Sequence, residues 1–169
     1  MAVKNVELGD LTNKNINQLK LLNSTILPIS YDEKFYLNLL TNGFMTKLAF
    51  FNDVVVGAVS CRIDPPSDGC ETSSLYIMTL GVLAPYRNLG IGKKLIEHLD
   101  TYCKSNKFSK IFLHVQVGSE AIEWYKKQNF QTESLITNYY RHIEPADCYS
   151  MSKTITPTTT TETNTTTSK

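Results

Sequence analysis

A mixed α/β (α+β) fold in one domain is what this sequence predicts, and three observations predict it. Ser74–Val82 is apolar on both parities of a strand, as a central strand covered on both faces must be. It leads through a glycine-bearing turn into an amphipathic helix, and Lys110–Val115 then returns as a strand, which makes a β-α-β crossover. Upstream, Lys47–Phe51 and Val54–Ile63 flank Asn52-Asp53, a pair that reads as a hairpin turn. With 169 residues, 41% of them hydrophobic, the chain suits a single core.

The other elements follow in order. Val3–Leu8 reads as a first strand. Thr12 offers an N-cap oxygen to a helix carrying Ile16, Leu19, Leu22 and Asn23 on one face. Leu27-Pro28-Ile29 ends that helix, because proline has no N–H to donate and restricts the residue before it. A second helix is expected from Asp32 to Leu40, and Asp64–Ser73, with Pro65, Pro66 and Gly69, is a loop. The crossover helix spans Leu89–Ser105, with Ile91, Leu95, Leu99 and Tyr102 on one face. Glu120–Gln128 forms the last helix, and Asn129 takes the left-handed position after it. Phe130–Ile136 and Cys148–Ile155 supply the last strands. From Thr156 the chain is threonine-rich and cannot bury enough apolar surface to offset its ordering entropy. Residues 156–169 are therefore expected to be a disordered tail on a domain of residues 1–155.

Arg87-Asn88-Leu89-Gly90-Ile91-Gly92-Lys93 lies where the central strand gives way to the helix. Two glycines let the backbone approach an anion, and the helix start turns unpaired N–H groups and a positive dipole end toward it. A pyrophosphate suits such a site, and Arg87 adds a charged donor. Other glycine loops fail on spacing. A Walker loop needs Gly at 87 and Ser or Thr at 94, where this chain has Arg87 and Lys94. A dinucleotide loop needs a third glycine at 95, which is Leu95.

With its surroundings, Leu83-Ala-Pro-Tyr-Arg-Asn-Leu-Gly-Ile-Gly-Lys-Lys-Leu-Ile96 resembles the acetyl-coenzyme A motif of the GCN5-related N-acetyltransferase (GNAT) family. Leu27-Pro-Ile-Ser-Tyr31, Leu75-Tyr-Ile-Met-Thr-Leu-Gly81, Leu113-His-Val-Gln116 and Asn138-Tyr-Tyr-Arg-His-Ile-Glu-Pro-Ala-Asp147 are similar to the NatE-type N-terminal acetyltransferases within it. The resemblance covers residues 3–155. It implies the GNAT fold, a central, mostly antiparallel seven-stranded sheet flanked by about four helices. It implies acetyl-CoA as co-substrate, no metal, and acetyl transfer by direct attack to the α-amine of proteins that keep an initial Met, with Leu or a similar residue next.

The resemblance also implies the site. Tyr76 and His114 position a water that accepts the amine proton, and the Leu80 N–H serves the oxyanion. Gly81, Val82 and Arg87, Asn88, Leu89, Gly90, Ile91, Gly92 and Lys93 hold the pantetheine and pyrophosphate, with Ser119 on the cofactor and Tyr125 near the departing sulfur. Leu27, Pro28, Ile29, Tyr31 and Met78, with Tyr139, Tyr140, Arg141, His142 and Ile143, form a peptide groove with an apolar pocket for Met. The chain departs from the family at Leu27, usually Phe, and at Asn88, usually Arg. The segment 117–120 is one residue shorter and lacks an Asn, and Asn129 replaces a common Gly. These changes bear on cofactor affinity more than on reaction class.

On their own residues, the same positions read more plainly. By alternation Tyr76, Met78 and Leu80 share a face of one strand, and Phe112 and His114 share a face of another. A lone His or Tyr in an apolar strand is more often a packed core residue than a catalyst, and Tyr125 reads equally as packing beside Trp124. Proton chemistry favours an α-amine as acceptor. Its pKa is about 7.7–8.0 against about 10.4 for lysine, a gap worth about 3.4 kcal/mol. Near pH 7.5 about a third of α-amines are neutral, against about one lysine in a thousand. A histidine with a reference pKa of about 6.5 can manage the easier proton.

Composition bounds the partners. Net charge is +1, from 17 basic and 16 acidic residues, which leaves no nucleic-acid footprint. Cys61, Cys70, Cys103 and Cys148 form no C-x-x-C pair and read as reduced thiols away from the reaction centre. The sequence shows no signal peptide and no apolar run of about 20 residues, so a cytoplasmic and also nuclear location without membrane contact is expected. Protein N-termini are the expected substrates, and the resemblance offers the catalytic and auxiliary subunits of the NatA complex as partners. Two rivals stay open: a lysine acetyltransferase, and a cofactor-binding scaffold within a NatA-like complex.

Overall fold

The computed structural model describes residues 5–156, so the start of the expected first strand and residues 157–169 of the expected tail lie outside the described residues. In chain order the elements are β1 (Val6–Asp10), α1 (Ile16–Ile26), α2 (Glu33–Asn38), β2 (Phe44–Phe51), β3 (Val54–Asp64), β4 (Ser74–Val82), α3 (Ile91–Ser105), β5 (Lys110–Gln116), α4 (Ala121–Lys127), β6 (Gln131–Ile136) and β7 (Cys148–Thr154). The strands form one seven-stranded sheet in the order β1-β2-β3-β4-β5-β7-β6. Only β4 and β5 run parallel, joined by the α3 crossover; every other pair is antiparallel. β4 lies at the centre of the order, where its double apolar pattern belongs.

Local chemistry sets most boundaries. Asn52 and Asp53 both take positive φ, 47° and 65°, as a two-residue hairpin turn requires. Asp32 caps α2 by accepting the Phe35 N–H at 2.9 Å. Asn129 sits at φ 69° beyond α4, where the Phe130 N–H reaches back to the Tyr125 carbonyl at 3.0 Å. Two helix starts differ from expectation. Thr12 does not cap α1: its hydroxyl accepts the Lys14 N–H while Asn15 accepts the Thr12 N–H at 2.8 Å, so a turn intervenes and the helix opens at Ile16. α3 opens at Ile91, not Leu89, because Asn88 and Gly90 take left-handed φ of 61° and 83°.

Each face of the sheet carries its own core. Ile91, Leu95, Leu99 and Cys103 recur every fourth residue along α3 and pack, with Tyr125 and Phe130, on Val59, Leu75, Ile77, Leu113 and Met151. The opposite face is covered by Leu19 and Leu22 of α1 and Tyr36 of α2, against Leu48 and Ala58.

Two irregularities at β4 break this order where the site lies. β4 pairs with β5 only from Ser74–Lys110 to Tyr76–Phe112, after which the strands part. Against β3, Cys61 faces Ile77 but Ser60 faces Thr79, so Met78 is the extra residue of a bulge. The bulge reverses the alternation. Met78 packs with the α1–α2 core, whereas Leu80 joins the α3 core, so the expected shared face of Tyr76, Met78 and Leu80 stops at Met78.

Leu99 is fully buried beneath the sheet. Leu99→Ala should lower stability by about 2–5 kcal/mol, read as a lower urea midpoint with an unchanged slope.

Candidate active site

A cavity of about 200 Å³ occupies the opening between β4 and β5. Leu27, Pro28, Ile29 and Tyr31 from the α1–α2 connection and Tyr140 and Ile143 from the β6–β7 loop wall one side. Leu80, Ser119, Ala121 and Tyr125 wall the other, and Ile77–Thr79 with Leu113–Gln116 bound it between. The cavity thus passes from one face of the sheet to the other through the gap that the missing ladder leaves. Leu80 lies beyond the parting point, so its N–H faces strand-free space.

His114 lines the cavity, and Tyr76 meets it from just outside the lining. The Tyr76 hydroxyl lies 2.8 Å from His114 Nδ1 and 3.5 Å from the Tyr139 hydroxyl. Their rings pack with Phe112 on the α1–α2 side, Tyr76–Phe112 at 4.9 Å and His114–Tyr139 at 4.8 Å between centroids. Burial pushes the Tyr76 phenol well above its ordinary range, reinforced by Tyr139. Burial also lowers the His114 pKa, and the Arg62 guanidinium lowers it further. At neutral pH the pair is therefore a neutral phenol against a neutral imidazole. Because the phenol keeps its proton it can donate to Nδ1 in the tautomer whose ring proton is on Nε2.

Arg62 was not among the residues singled out from sequence. It pairs in register with Tyr76, stacks 4.8 Å over that ring, and is held by Asp64 at 2.7 Å. The pattern Arg62-Ile63-Asp64 signals it, since strand alternation sets both charges on one face. Gln116 is a second addition: its amide donates to the Pro145 carbonyl at 2.8 Å and ties the β6–β7 loop to β5. The Asn138 N–H donates to Asp147 at 2.9 Å and closes the same loop.

The glycine loop has the conformation an anion site needs. Gly90 adopts φ 83° with open space about its α-carbon, so a side chain there would be strained by the backbone alone. The first-turn N–H groups of α3 have no intrahelical acceptors. Gly92 has a different reason: a Cβ there would sit 2.8 Å from Trp124 Cζ2. Arg87 donates from Nε to the Val82 carbonyl at 2.9 Å, which anchors the turn and leaves the guanidinium end exposed. Leu89 and Lys93 are exposed, while the Ile91 side chain is buried in the core and can offer a ligand only its backbone.

The other expected residues divide. Tyr31 stacks on Phe35 at 4.2 Å between centroids, and the Leu27 N–H closes α1 on the Asn23 carbonyl at 2.9 Å. Tyr139 stands at the rim, 41% exposed, and Tyr140 inside, its phenol pushed by burial to about 12. Arg141 and His142 are exposed and do not wall the cavity. Ser119 lines it and also accepts the Ala121 N–H at 3.2 Å. Tyr125 both lines the cavity and packs beside Trp124 and Phe130, so the two readings of it coexist. Burial holds its phenol protonated. None of the four cysteines, all free thiols, walls the cavity.

A seven-stranded sheet parted at its centre, with a glycine turn opening the crossover helix beside the gap, defines an acetyltransferase architecture. The acetyltransferase (GNAT) family matches residues 17–130, and the chain belongs to it. Its sequence is 49% identical over 152 residues to N-alpha-acetyltransferase 50 of Danio rerio, covering 89% of each chain. It is 48% identical over 157 residues to "Probable N-acetyltransferase san" of Drosophila melanogaster, covering 92% of this chain and 84% of that one. Among solved structures, Arabidopsis thaliana Naa50 in complex with the bisubstrate analogue CoA-Ac-MVNAL superposes with a TM-score of 0.80 at 46% identity, covering 88% of this chain and 97% of the other.

The geometry predicts the titration of His114. In the apo protein its imidazole should titrate below the ordinary histidine range by NMR. Arg62→Met should move the midpoint up but not restore it fully, because burial is the larger cause.

Proposed function

We propose that this acetyltransferase carries acetyl from acetyl-CoA to the α-amine of peptides beginning with Met, with Leu or a similar residue in second place. One observation carries the reading: a neutral Tyr76–His114 pair, 2.8 Å apart, on the side of the parted strands faced by the Leu27–Tyr31 and Tyr139–Ile143 segments. The similarity to N-alpha-acetyltransferase 50, and to a structure whose ligand joins CoA to a Met-initiated peptide, supports it.

On this reading acetyl-CoA enters from the α4 side. Its pyrophosphate rests on the N–H groups from Gly90 to Lys93, and its thioester carbonyl meets the Leu80 N–H. The peptide enters from the α1–α2 side, its Met side chain among Leu27, Pro28, Ile29, Tyr140 and Ile143. The amine nitrogen attacks the thioester carbon, its excess proton passes through a water and the Tyr76 hydroxyl to His114 Nδ1, and the C–S bond breaks. Tyr125, kept protonated by burial, donates a hydrogen bond to the leaving thiolate, which takes its proton from solvent as CoA departs. Tyr76 never bears charge; it relays.

His114 is already neutral at pH 7, so the substrate amine is the last group to lose its proton. The kcat/KM profile should therefore rise through the α-amine pKa, about 7.7–8.0, not through a histidine range. The deciding assay offers a Met-Leu peptide beside the same peptide with a blocked N-terminus and a free internal lysine. Transfer to the first alone, reduced about 10²–10⁴-fold in His114→Ala, is expected. Transfer to the blocked peptide would establish a lysine enzyme instead, and acetyl-CoA binding without transfer to either would establish a scaffold.

A further inference from the structure

The β6–β7 loop supplies part of the cavity wall through Tyr140 and Ile143, yet few bonds fix where it lies. It closes on itself twice: the Asn138 N–H donates to the Asp147 carboxylate at 2.9 Å, and the Tyr140 N–H to the Ala146 carbonyl at 2.9 Å. Those bonds set the width of the loop and leave its lean over the cavity free. At its base the Val117 N–H holds the Asp147 carbonyl at 3.0 Å. On its first half, the Tyr139 ring rests against His114, 4.8 Å between centroids. For residues 141–145 the single tie to the rest of the chain, among the described residues, is the Gln116 amide, which donates to the Pro145 carbonyl at 2.8 Å.

Strand geometry puts Gln116 in place for this. Ile111, Leu113 and Val115 pack into the α3 core, so His114 and Gln116 share the opposite face of β5. Gln116 is half-buried and itself lines the cavity. A carbonyl can only accept, so the side chain must present its NH₂ to Pro145. A glutamate of the same shape would set acceptor against acceptor.

We propose that Gln116 is a positioning residue for the first residue of the acceptor peptide, an assignment that rests on the N-terminal acetyltransferase reading. Ile143 lies two residues before the tied carbonyl, and Tyr140 is bonded to the residue just after it. The bond therefore sets how closely these two side chains approach Leu27 and Ile29 across the pocket. Without it the wall can lean outward, and its apolar contacts with a methionine side chain thin. Tyr76, His114 and Leu80 stand on the strands, so the loss falls on peptide binding and selectivity rather than on attack.

The test compares the full chain with Gln116→Met, which keeps length without polarity, and Gln116→Glu, which is acceptor-only at about pH 8. By calorimetry, affinity for an analogue joining CoA through an acetyl bridge to a Met-initiated peptide should fall about 3- to 10-fold in both. Affinity for CoA alone should not change, which shows the fold and the cofactor side intact. The KM for a Met-Leu peptide should rise by a similar factor, with kcat held within about twofold. Preference for Met over the bulkier Phe in first place should narrow, because the freed wall no longer limits the pocket. Unchanged affinity for the analogue in both variants overturns the assignment. So does an equal loss for CoA, or a fall in kcat at constant KM. A loss in Gln116→Met alone also overturns it, by tracing the effect to packing instead of the donated bond. If the parent chain transfers nothing to the Met-Leu peptide, the N-terminal reading fails, and this assignment with it.

Discussion

The early parting of β4 and β5 governs everything else at the site. Two parallel strands that pair over three residues and then separate leave backbone N–H and C=O groups without their ladder. In a continuous sheet that would be a defect in the middle of the core. Here the unmade bonds line a passage joining the two faces, so one face can take the cofactor and the other the acceptor. The Met78 bulge completes the arrangement by moving β4 out of its regular alternation just past the parting point. Without it, Leu80 would face the α1–α2 side; with it, Leu80 packs toward α3.

Burial does much of the electrostatic work. The same partial desolvation that lowers His114 raises Tyr76, so both partners of the 2.8 Å contact are neutral in the range where an α-amine begins to be. Arg62 acts in the same direction on His114 from above the Tyr76 ring, and Asp64 holds it in place. The site thus avoids a permanent charge on the His114 imidazole while keeping one nearby.

Much of this was legible in the chain. The double apolar parity of Ser74–Val82 marked the central strand, Asn52-Asp53 the hairpin, and Asn129 the left-handed stop after α4. The glycine turn ahead of the crossover helix was legible too, although only Gly90 of its two glycines is required by its backbone angle. What stayed hidden has a common cause. A bulge adds one residue to one strand only, and nothing in Tyr-Ile-Met-Thr-Leu announces which strand slips, so face assignments by parity failed after Met78. Thr12 misled because its hydroxyl closes a turn before the helix, on the Lys14 N–H, and the Asn15 side chain turns back to the Thr12 N–H without capping α1 either.

The contact at Gly92 has a mechanical meaning. Trp124 sits where any side chain at 92 would be, so the first turn of α3 is seated directly against α4. Tyr125, the next residue, faces the cavity from that same helix. The two helices are therefore geared together at one tooth. A displacement of the first turn of α3 presses on Trp124 and so bears on the neighbouring Tyr125 in the cavity wall.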